Sequence, residues 1–453
     1  MLEKAPFMSF DIHKFRRVHL IGCAGVGTLP LAYILLKNGF QVSGSDLLET
    51  DALEDLRAAG AVIRSGPHRA ENIPSDGDRS DLLVIHSSAI APENPEFLAA
   101  KNAGAAVIRR GEALAAMTGL YKRVVSVSGS HGKTSVSAML AWLFREAGLT
   151  PGYLVGGFIP AYGKKNGSAG QGGDLFITEV DESDGTHTAM FSHLGIVTNV
   201  EDDHAWSVGG ADQLFANFKK YAFQAQHLIY VGSAKTDELF AEHPSAVRLD
   251  PDVTASPDLA LFDPAALKNW GSFQKLNALT ALVAAVQLGL NKKLAAQILS
   301  RFPGVDRRMT KHFENKSFVL MEDYAHHPTE LRASLRAFRE IFPQRRLVIF
   351  FQPHRYARLE RYFDEFAAEL RAADRIYITP VFAAWVASGR YDSADLAAAV
   401  GSDKAVAVSG DWQEIAAMVK NDFHAGDLVA VIGAGDLKDL IAPLTGVLKE
   451  ITD

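Results

Sequence analysis

The chain has 453 residues, 48% hydrophobic and 22% charged, which suits a soluble globular protein of about two to four domains. A net charge of −7 without any basic block excludes general affinity for nucleic acid, and a single cysteine, Cys23, excludes an internal disulfide or a cysteine-cluster metal site. No window approaches the ~18 apolar residues of a membrane span, and the opening MLEKAPFMSFDIHKFRR does not read as a signal peptide, so a cytoplasmic protein is expected.

Short apolar runs alternate with helical patterns from end to end, the pattern of parallel sheets with crossover helices. In the first series Val18–Gly22, Gln41–Gly44, Leu82–Ser87 and Ala106–Arg109 are expected strands, and Thr28–Asn38 and Asn94–Asn102 expected helices. Arg109-Arg110 and Arg345-Arg346 read as local structure or a single phosphate contact. The second series begins at Val124–Ser128, with a helix from Lys133 to Ala147 and strands at Leu175–Val180, Leu194–Val200 and His227–Val231. Gly163–Gly173 reads as a mobile, glycine-rich loop. The segment Gln274–Leu288 is apolar all round and predicts a buried helix. The third series runs through Ser317–Tyr324, Arg346–Gln352, Arg375–Val381, Ala405–Ser409 and Asp427–Gly433. Breaks near Gly119–Arg123 and Phe302–Arg308 divide the chain into 1–121, 122–302 and 303–453. The expected fold is α/β with three domains, each a mostly parallel sheet with flanking helices: Rossmann-like, P-loop and Rossmann-like in turn.

Two glycine-rich turns follow expected strands and open helices, where backbone N–H groups and the helix dipole favour an anion. The first, Gly22-Cys-Ala-Gly25-Val-Gly27, is spaced G-x-x-G-x-G rather than as the dinucleotide motif G-x-G-x-x-G. Asp46 closes the second strand, where a ribose-binding acid would sit. The reading without a ligand is a tight strand–helix turn, and this motif alone does not choose. The second turn, Gly129-Ser-His-Gly132-Lys133-Thr134, ends like a Walker A loop, although Val127 stands where its first glycine would be. Its N–H groups can cradle phosphates, Lys133 can balance their charge and Thr134 can ligate Mg²⁺. The alternative is a capped helix with a surface lysine.

Acids and histidines mark the ends of neighbouring strands. Glu179-Val-Asp181-Glu182-Ser-Asp184 ends one strand of the second series, where hard oxygen ligands suit Mg²⁺ on a nucleotide; a solvated acidic loop is the plain alternative. His204 ends the next strand, as a metal ligand or a structural histidine. In the third series Asp323-Tyr-Ala-His326-His327-Pro328 and Gln352-Pro-His354-Arg355-Tyr-Ala-Arg358 close consecutive strands. Arginines there can grip a carboxylate at two points, or simply pair within the protein.

In this order the motifs resemble the Mur ligase family. The resemblance covers nearly the whole chain, through Gly22–Gly27, Gly44-Ser45-Asp46, Ser87-Ser88-Ala89-Ile90, Gly129–Thr134, Glu179–Asp184, Val197-Thr198-Asn199, Asp203-His204, Phe302–Arg308, Asp323–Glu330, Phe351–Arg358 and Gly433-Ala434-Gly435-Asp436. It implies an ATP-dependent ligase that joins UDP-N-acetylmuramate to L-alanine through an acyl phosphate, in peptidoglycan precursor synthesis. Gly22, Gly25, Val26, Gly27, Ser45, Asp46, Ser87 and Ser88 would then hold the UDP substrate. Gly129, Ser130, His131, Gly132, Lys133, Thr134, Ser135, Gln274, Asn277, Arg308 and Asp323 would hold ATP. Thr134, Glu179 and His204 would ligate Mg²⁺, or Mn²⁺ in its place. His326, Arg355 and Arg358 would take the amino acid, and Lys133, Glu179, His204 and Arg308 would serve catalysis. Domain closure would protect the acyl phosphate from water.

Two places depart from the family pattern. An aspartate usually follows two residues after the metal-site histidine, whereas this chain has His204-Ala205-Trp206. The family's G-x-H-N-x-x-N appears as Gly271-Ser-Phe273-Gln274-Lys-Leu-Asn277. Three other readings stand beside the first: a recycling ligase that attaches a whole tripeptide to the same UDP-sugar, a nicotinamide-dependent oxidoreductase using the first turn, and a non-catalytic nucleotide-sensing relative.

Overall fold

The computed structural model describes residues 10–452 apart from 88, 164, 204 and 385–387. In the first sheet β1 (Arg17–Ile21), β2 (Gln41–Asp46), β3 (Val62–Ser65), β4 (Leu82–His86) and β5 (Ala106–Arg109) are all parallel, in the order β3-β2-β1-β4-β5. The chain lays down strands on one side of β1 and then returns to the other. That leaves a crevice at the C-terminal ends of β1 and β4, the usual ligand position of an open parallel sheet. The Gly22–Gly27 turn leaves β1 at this point.

The second sheet contains β6 (Arg123–Ser128), β7 (Gly152–Leu154), β8 (Gly167–Ser168), β9 (Leu175–Glu179), β10 (Ser192–Val197), β11 (Ala225–Val231) and β12 (Ala246–Leu249). Their order is β12-β11-β10-β6-β9-β7-β8, and only the β7–β8 pair is antiparallel. Strand β6 therefore has β9 on one side and β10 on the other. The loop after it is flanked by both strand ends that carry acids. The central strands β6, β9 and β10 are buried along most of their length, as expected of a parallel sheet covered on both faces. The helix Ala211–Gln224 packs on β10 and β11 and buries Leu214, Phe218, Tyr221 and Ala222, spaced to share one face. The Tyr221 hydroxyl reaches the Ser126 carbonyl at 2.8 Å and its Oγ at 2.7 Å, so the strand below the second glycine turn is pinned by a satisfied polar contact.

The third sheet holds β13 (Thr310–Glu314), β14 (Val319–Asp323), β15 (Leu347–Phe351), β16 (Arg375–Ile378), β17 (Ala405–Ala407) and β18 (Leu428–Ile432), ordered β13-β14-β18-β15-β16-β17. Only β13 is antiparallel. Strands β14, β15 and β18 are fully buried, and β18 runs between the other two. The motifs after all three thus emerge along one sheet edge.

The mostly parallel three-sheet α/β architecture is as expected, and the differences from the sequence reading are local. The glycine-rich stretch 163–173 contributes β8, because Gly170, at φ 68°, fits where a side chain would collide with the Gly152 nitrogen. By packing, the chain divides into two units: residues up to Ser256 with Asn277–Pro303, and Pro257–Leu276 with Gly304 onward. Residues 257–276 belong with the third sheet because Gly271 seats on Ala337, and the Ser272 N–H and hydroxyl donate to Glu340 at 2.6 and 2.8 Å. Among the described residues no helix is long and apolar enough to cross a membrane.

Candidate active site

The second glycine turn is built by backbone conformations that only glycine adopts without strain. Gly129 has φ 135° and Gly132 φ 85°, and a methyl group on Gly129 would lie 2.1 Å from Thr198 Oγ1. Val127 is a fully buried β6 residue, so the loop starts later than a full Walker A loop. The end of β10 ties the turn down. Asn199 accepts the His131 N–H through Oδ1 at 2.9 Å and donates to the His131 carbonyl at 3.0 Å. The Thr198 hydroxyl donates to the same carbonyl, Ser130 Oγ accepts the Glu201 N–H at 2.9 Å, and His131 Nε2 lies 3.3 Å from Glu201. Ser130 and Asn277 are buried, and Asn277 Oδ1 would stand 3.2 Å from a methyl group on Gly132. Lys133, Thr134 and Ser135 form the first turn of the helix Lys133–Glu146.

Lys133 folds back over the turn. Its ammonium donates to the Gly129 and Ser130 carbonyls at 2.6 and 3.2 Å and to Glu182 Oε2 at 2.7 Å. Burial pulls its pKa down, but the Glu182, Asp181 and Glu179 carboxylates outweigh burial and hold it above the ordinary lysine value. Glu182 is 1% exposed, and burial pushes its carboxyl up to about 7 even with Lys133 beside it. Burial also raises Asp181, but Lys133 and Ser183 more than reverse this. The pocket thus carries more carboxylate than one lysine neutralises. Glu179 Oε2 is buried without a hydrogen-bond partner among the described residues. An orphan carboxylate oxygen in an acid-rich site is of the kind that could hold a divalent cation, and Thr134 and Glu179 are the described residues that could supply ligands. His204, the third expected ligand, lies outside the described residues. Glu182, named in the sequence only as part of the acidic run, is the direct partner of Lys133. Glu179 and Glu182 stand in one run, and no spacing rule says which of them faces the lysine.

In the first glycine turn the expected acid makes contacts with the backbone. Asp46 accepts the Ala24 N–H through Oδ2 at 2.8 Å, while the Ser45 carbonyl accepts from Gly22 and Cys23 at 2.9 and 3.0 Å. Asp46 and Ser45 therefore brace the turn. The Ser45 hydroxyl is wholly buried and donates to Glu96 Oε2 at 2.6 Å. Gly22, at φ 78°, packs on Ser87 Cβ, and Ser87 Oγ accepts the Ala89 N–H at 3.3 Å. Gly25 closes on the Gly22 carbonyl, and the Val26 side chain is 58% exposed at the mouth of the turn. Ser88 lies outside the described residues.

At the third sheet, Asp323 is 4% exposed and accepts from Ser334 Oγ, Ala325 N–H and Met309 N–H at 2.7, 3.0 and 2.8 Å. Burial raises its pKa against the pull of Arg308. Its oxygens hold the 307–309 segment, where Arg307 and Met309 have φ 64° and 48°. Arg307 ties the β18 turn through the Gly433 and Gly435 carbonyls at 2.8 and 3.1 Å. Arg308 lies 4.8 Å from the Tyr324 ring centre and 3.5 Å from Glu330. His326 and His354 are 5.6 Å apart between ring centres, and Arg358 reaches His354 Nδ1 at 3.3 Å. Burial takes His326 down to about 4 and His354 to about 3, so both are neutral at pH 7. Arg355 has φ 69°, a costly conformation for a non-glycine residue. The structure brings His326 and Arg358 together through His354, which was read only as part of its motif.

Residues 17–122 match the family model described as Mur ligase family, catalytic domain, and residues 307–435 the one described as Mur ligase, glutamate ligase domain. The UDP-N-acetylmuramate–L-alanine ligase of Synechococcus sp. (strain JA-3-3Ab) is 35% identical over 444 residues, 94% of this chain and 85% of that protein. The enzyme of the same name from Renibacterium salmoninarum is 34% identical over 97% of this chain and 98% of its own. The chain belongs to the Mur ligase family. The solved UDP-N-acetylmuramate-alanine ligase of Thermotoga maritima has the same fold, with a TM-score of 0.76 at 22% identity, covering 96% of this chain and 99% of that one.

The two departures from the Mur ligase pattern have visible settings. Gln274 Oε1 accepts the Gly271 N–H at 2.8 Å and so caps the start of its own helix, leaving the amide nitrogen as its remaining polar end. Trp206 is 67% exposed, in a turn tied by the Ser207 hydroxyl to the Ser183 carbonyl.

Proposed function

We propose that this Mur ligase joins the carboxylate of UDP-N-acetylmuramate to the amine of L-alanine, with ATP as co-substrate, in cytoplasmic peptidoglycan precursor synthesis. The observation that carries the reading is likeness along nearly the full length to several ligases of that name. Residues 1–121 take the UDP-sugar at Gly22–Gly27, 122–302 take ATP at Gly129–Ser135, and 303–453 take the amino acid at His326, Arg355 and Arg358. Arg308 is assigned to the nucleotide. Asp323 supports it from behind, as the donors around its carboxylate indicate.

A carboxylate is a poor electrophile, and transfer of the γ-phosphoryl converts it to an acyl phosphate with a good leaving group. The amine then attacks, and phosphate leaves as the amide forms. Lys133 exchanges Glu182 for phosphate oxygens and offsets the charge of the transferring group. Thr134 and Glu179 would hold Mg²⁺, which supplies further neutralisation when bound. No protein nucleophile is needed, and Cys23 is fully buried, with burial pushing its thiol up to about 12.

The test is ADP release across UDP-sugars and amines, with NADH binding as a control. Turnover should need UDP-N-acetylmuramate and L-alanine together. Preference for a tripeptide amine would replace this reading with the recycling reaction, and NADH binding without ADP release would end the ligase reading.

A further inference from the structure

The side chain lying over the first glycine turn is Arg110, which opens the helix Arg110–Met117 after β5. A methyl group on Gly27 would stand 2.9 Å from its Cδ and 3.1 Å from Nη1. The backbone N–H groups of Gly22, Cys23, Ala24, Gly25 and Thr28 are occupied within the turn and its brace. Those of Val26 and Gly27 have no hydrogen-bond partner among the described residues. The guanidinium therefore sits where the turn keeps its unused donors. Its other end donates from Nη2 to Asp184 Oδ2 at 3.2 Å, and both side chains are about four-fifths shielded, at 19% and 24% exposure. Asp184 stays anchored through Oδ1, which accepts the Thr186 N–H at 2.9 Å. Thr186 in turn fits against Gly111, where no side chain has room.

We propose that Arg110 is a diphosphate-binding residue, gripping the sugar nucleotide above Val26 and Gly27 and exchanging Asp184 for the phosphate oxygens as it does so. The proposal rests on the reading that the first domain takes a UDP-sugar. Two N–H groups and one planar cationic fork match a diphosphate, whose oxygens accept from several directions at once. Asp184 competes for the same fork. It belongs to the acidic segment whose Glu182 holds Lys133, so one loop supplies the counter-ion for a cation at each glycine turn.

Binding of UDP, UDP-N-acetylmuramate and ATP is measured by calorimetry on the full chain. Arg110→Ala should weaken UDP and the UDP-sugar roughly tenfold to a hundredfold and leave ATP unchanged, with Arg110→Lys recovering part of the loss. Gly27→Ala, which pushes the guanidinium aside, should weaken UDP in the same direction. Asp184→Asn removes the competitor and should tighten UDP by several-fold. The opposite signs at Arg110 and Asp184 separate binding from bracing. Wild-type affinity for UDP in Arg110→Ala would overturn the proposal. So would loss of UDP binding in Asp184→Asn equal to that in Arg110→Ala, since the pair would then only brace the fold. If the wild-type chain binds neither UDP nor the UDP-sugar, the substrate reading itself fails, in an arm that involves no substitution.

Discussion

Replacing Lys133 with alanine should separate catalysis from stability at the second glycine turn. The ammonium touches two turn carbonyls and Glu182. Losing a cation that faces the transferring phosphoryl should cost about 2.7–4 kcal/mol of barrier, on the order of a hundred- to a thousandfold in kcat. The stability cost depends on Glu182. A buried carboxylate stripped of its partner would cost about 3–5 kcal/mol if it stayed charged. Its carboxyl already titrates at about 7 with Lys133 present, so near neutral pH it takes up a proton instead. The expected loss is therefore smaller, about 1–3 kcal/mol. Without Lys133 the Glu182 pKa lies still further above its unfolded value. A raised carboxyl favours the fold below the unfolded pKa and loses that contribution as pH rises, so the deficit of Lys133→Ala should widen from acid to mildly alkaline pH. Adding Glu182→Gln should restore melting temperature without restoring turnover, because the amide carries no charge to bury. ADP release and thermal melting on the four proteins of this cycle give both quantities. Wild-type-like turnover in Lys133→Ala, or recovery of turnover in the double variant, would refute the assignment of this turn to ATP.

Arg355→Lys keeps charge but loses the planar fork, and should raise KM for L-alanine about ten- to a hundredfold with ATP little affected. An effect of Arg355→Lys or Arg358→Ala confined to ATP would move both arginines out of the amino-acid site. Gly129→Ala must place a methyl group 2.1 Å from Thr198 Oγ1 at φ 135°, so nucleotide binding and melting temperature should both fall, read by calorimetry and a thermal scan. Burial raises the Glu96 carboxyl, but His19, Asn72, Ser45 and His68 outweigh burial and bring it from 4.5 down to about 2. A depressed carboxyl stabilises the fold above its unfolded pKa, so about 3 kcal/mol should be lost as pH falls from 4.5 toward 2, a loss absent in Glu96→Gln under acid titration.

The α/β class and the positions of both glycine turns were legible because central parallel strands are buried on both faces. β15 and β18 accordingly read as the unbroken runs LVIFF and LVAVI. The strands absent from the sequence reading, β3, β7, β8, β12 and β13, lie at or beside sheet edges and are mostly short, and several mix exposed with buried positions, so no apolar run marks them. Residue type also marked the turn ending in Lys133-Thr134 as the candidate phosphate site, since few other contexts need Gly-Lys-Thr between a strand and a helix. What sequence could not decide is which partner each charged group takes. Asp46 and Asp323 have the residue type and strand-end position of ligand contacts, yet their oxygens brace backbone N–H groups. Glu182 and Arg110 find their partners 49 and 74 residues away in the chain, through strand order and the seating of Gly111 on Thr186. Local propensity carries no information about contacts of that separation. They exist only once β6 lies beside β9 and the first sheet is docked on the second.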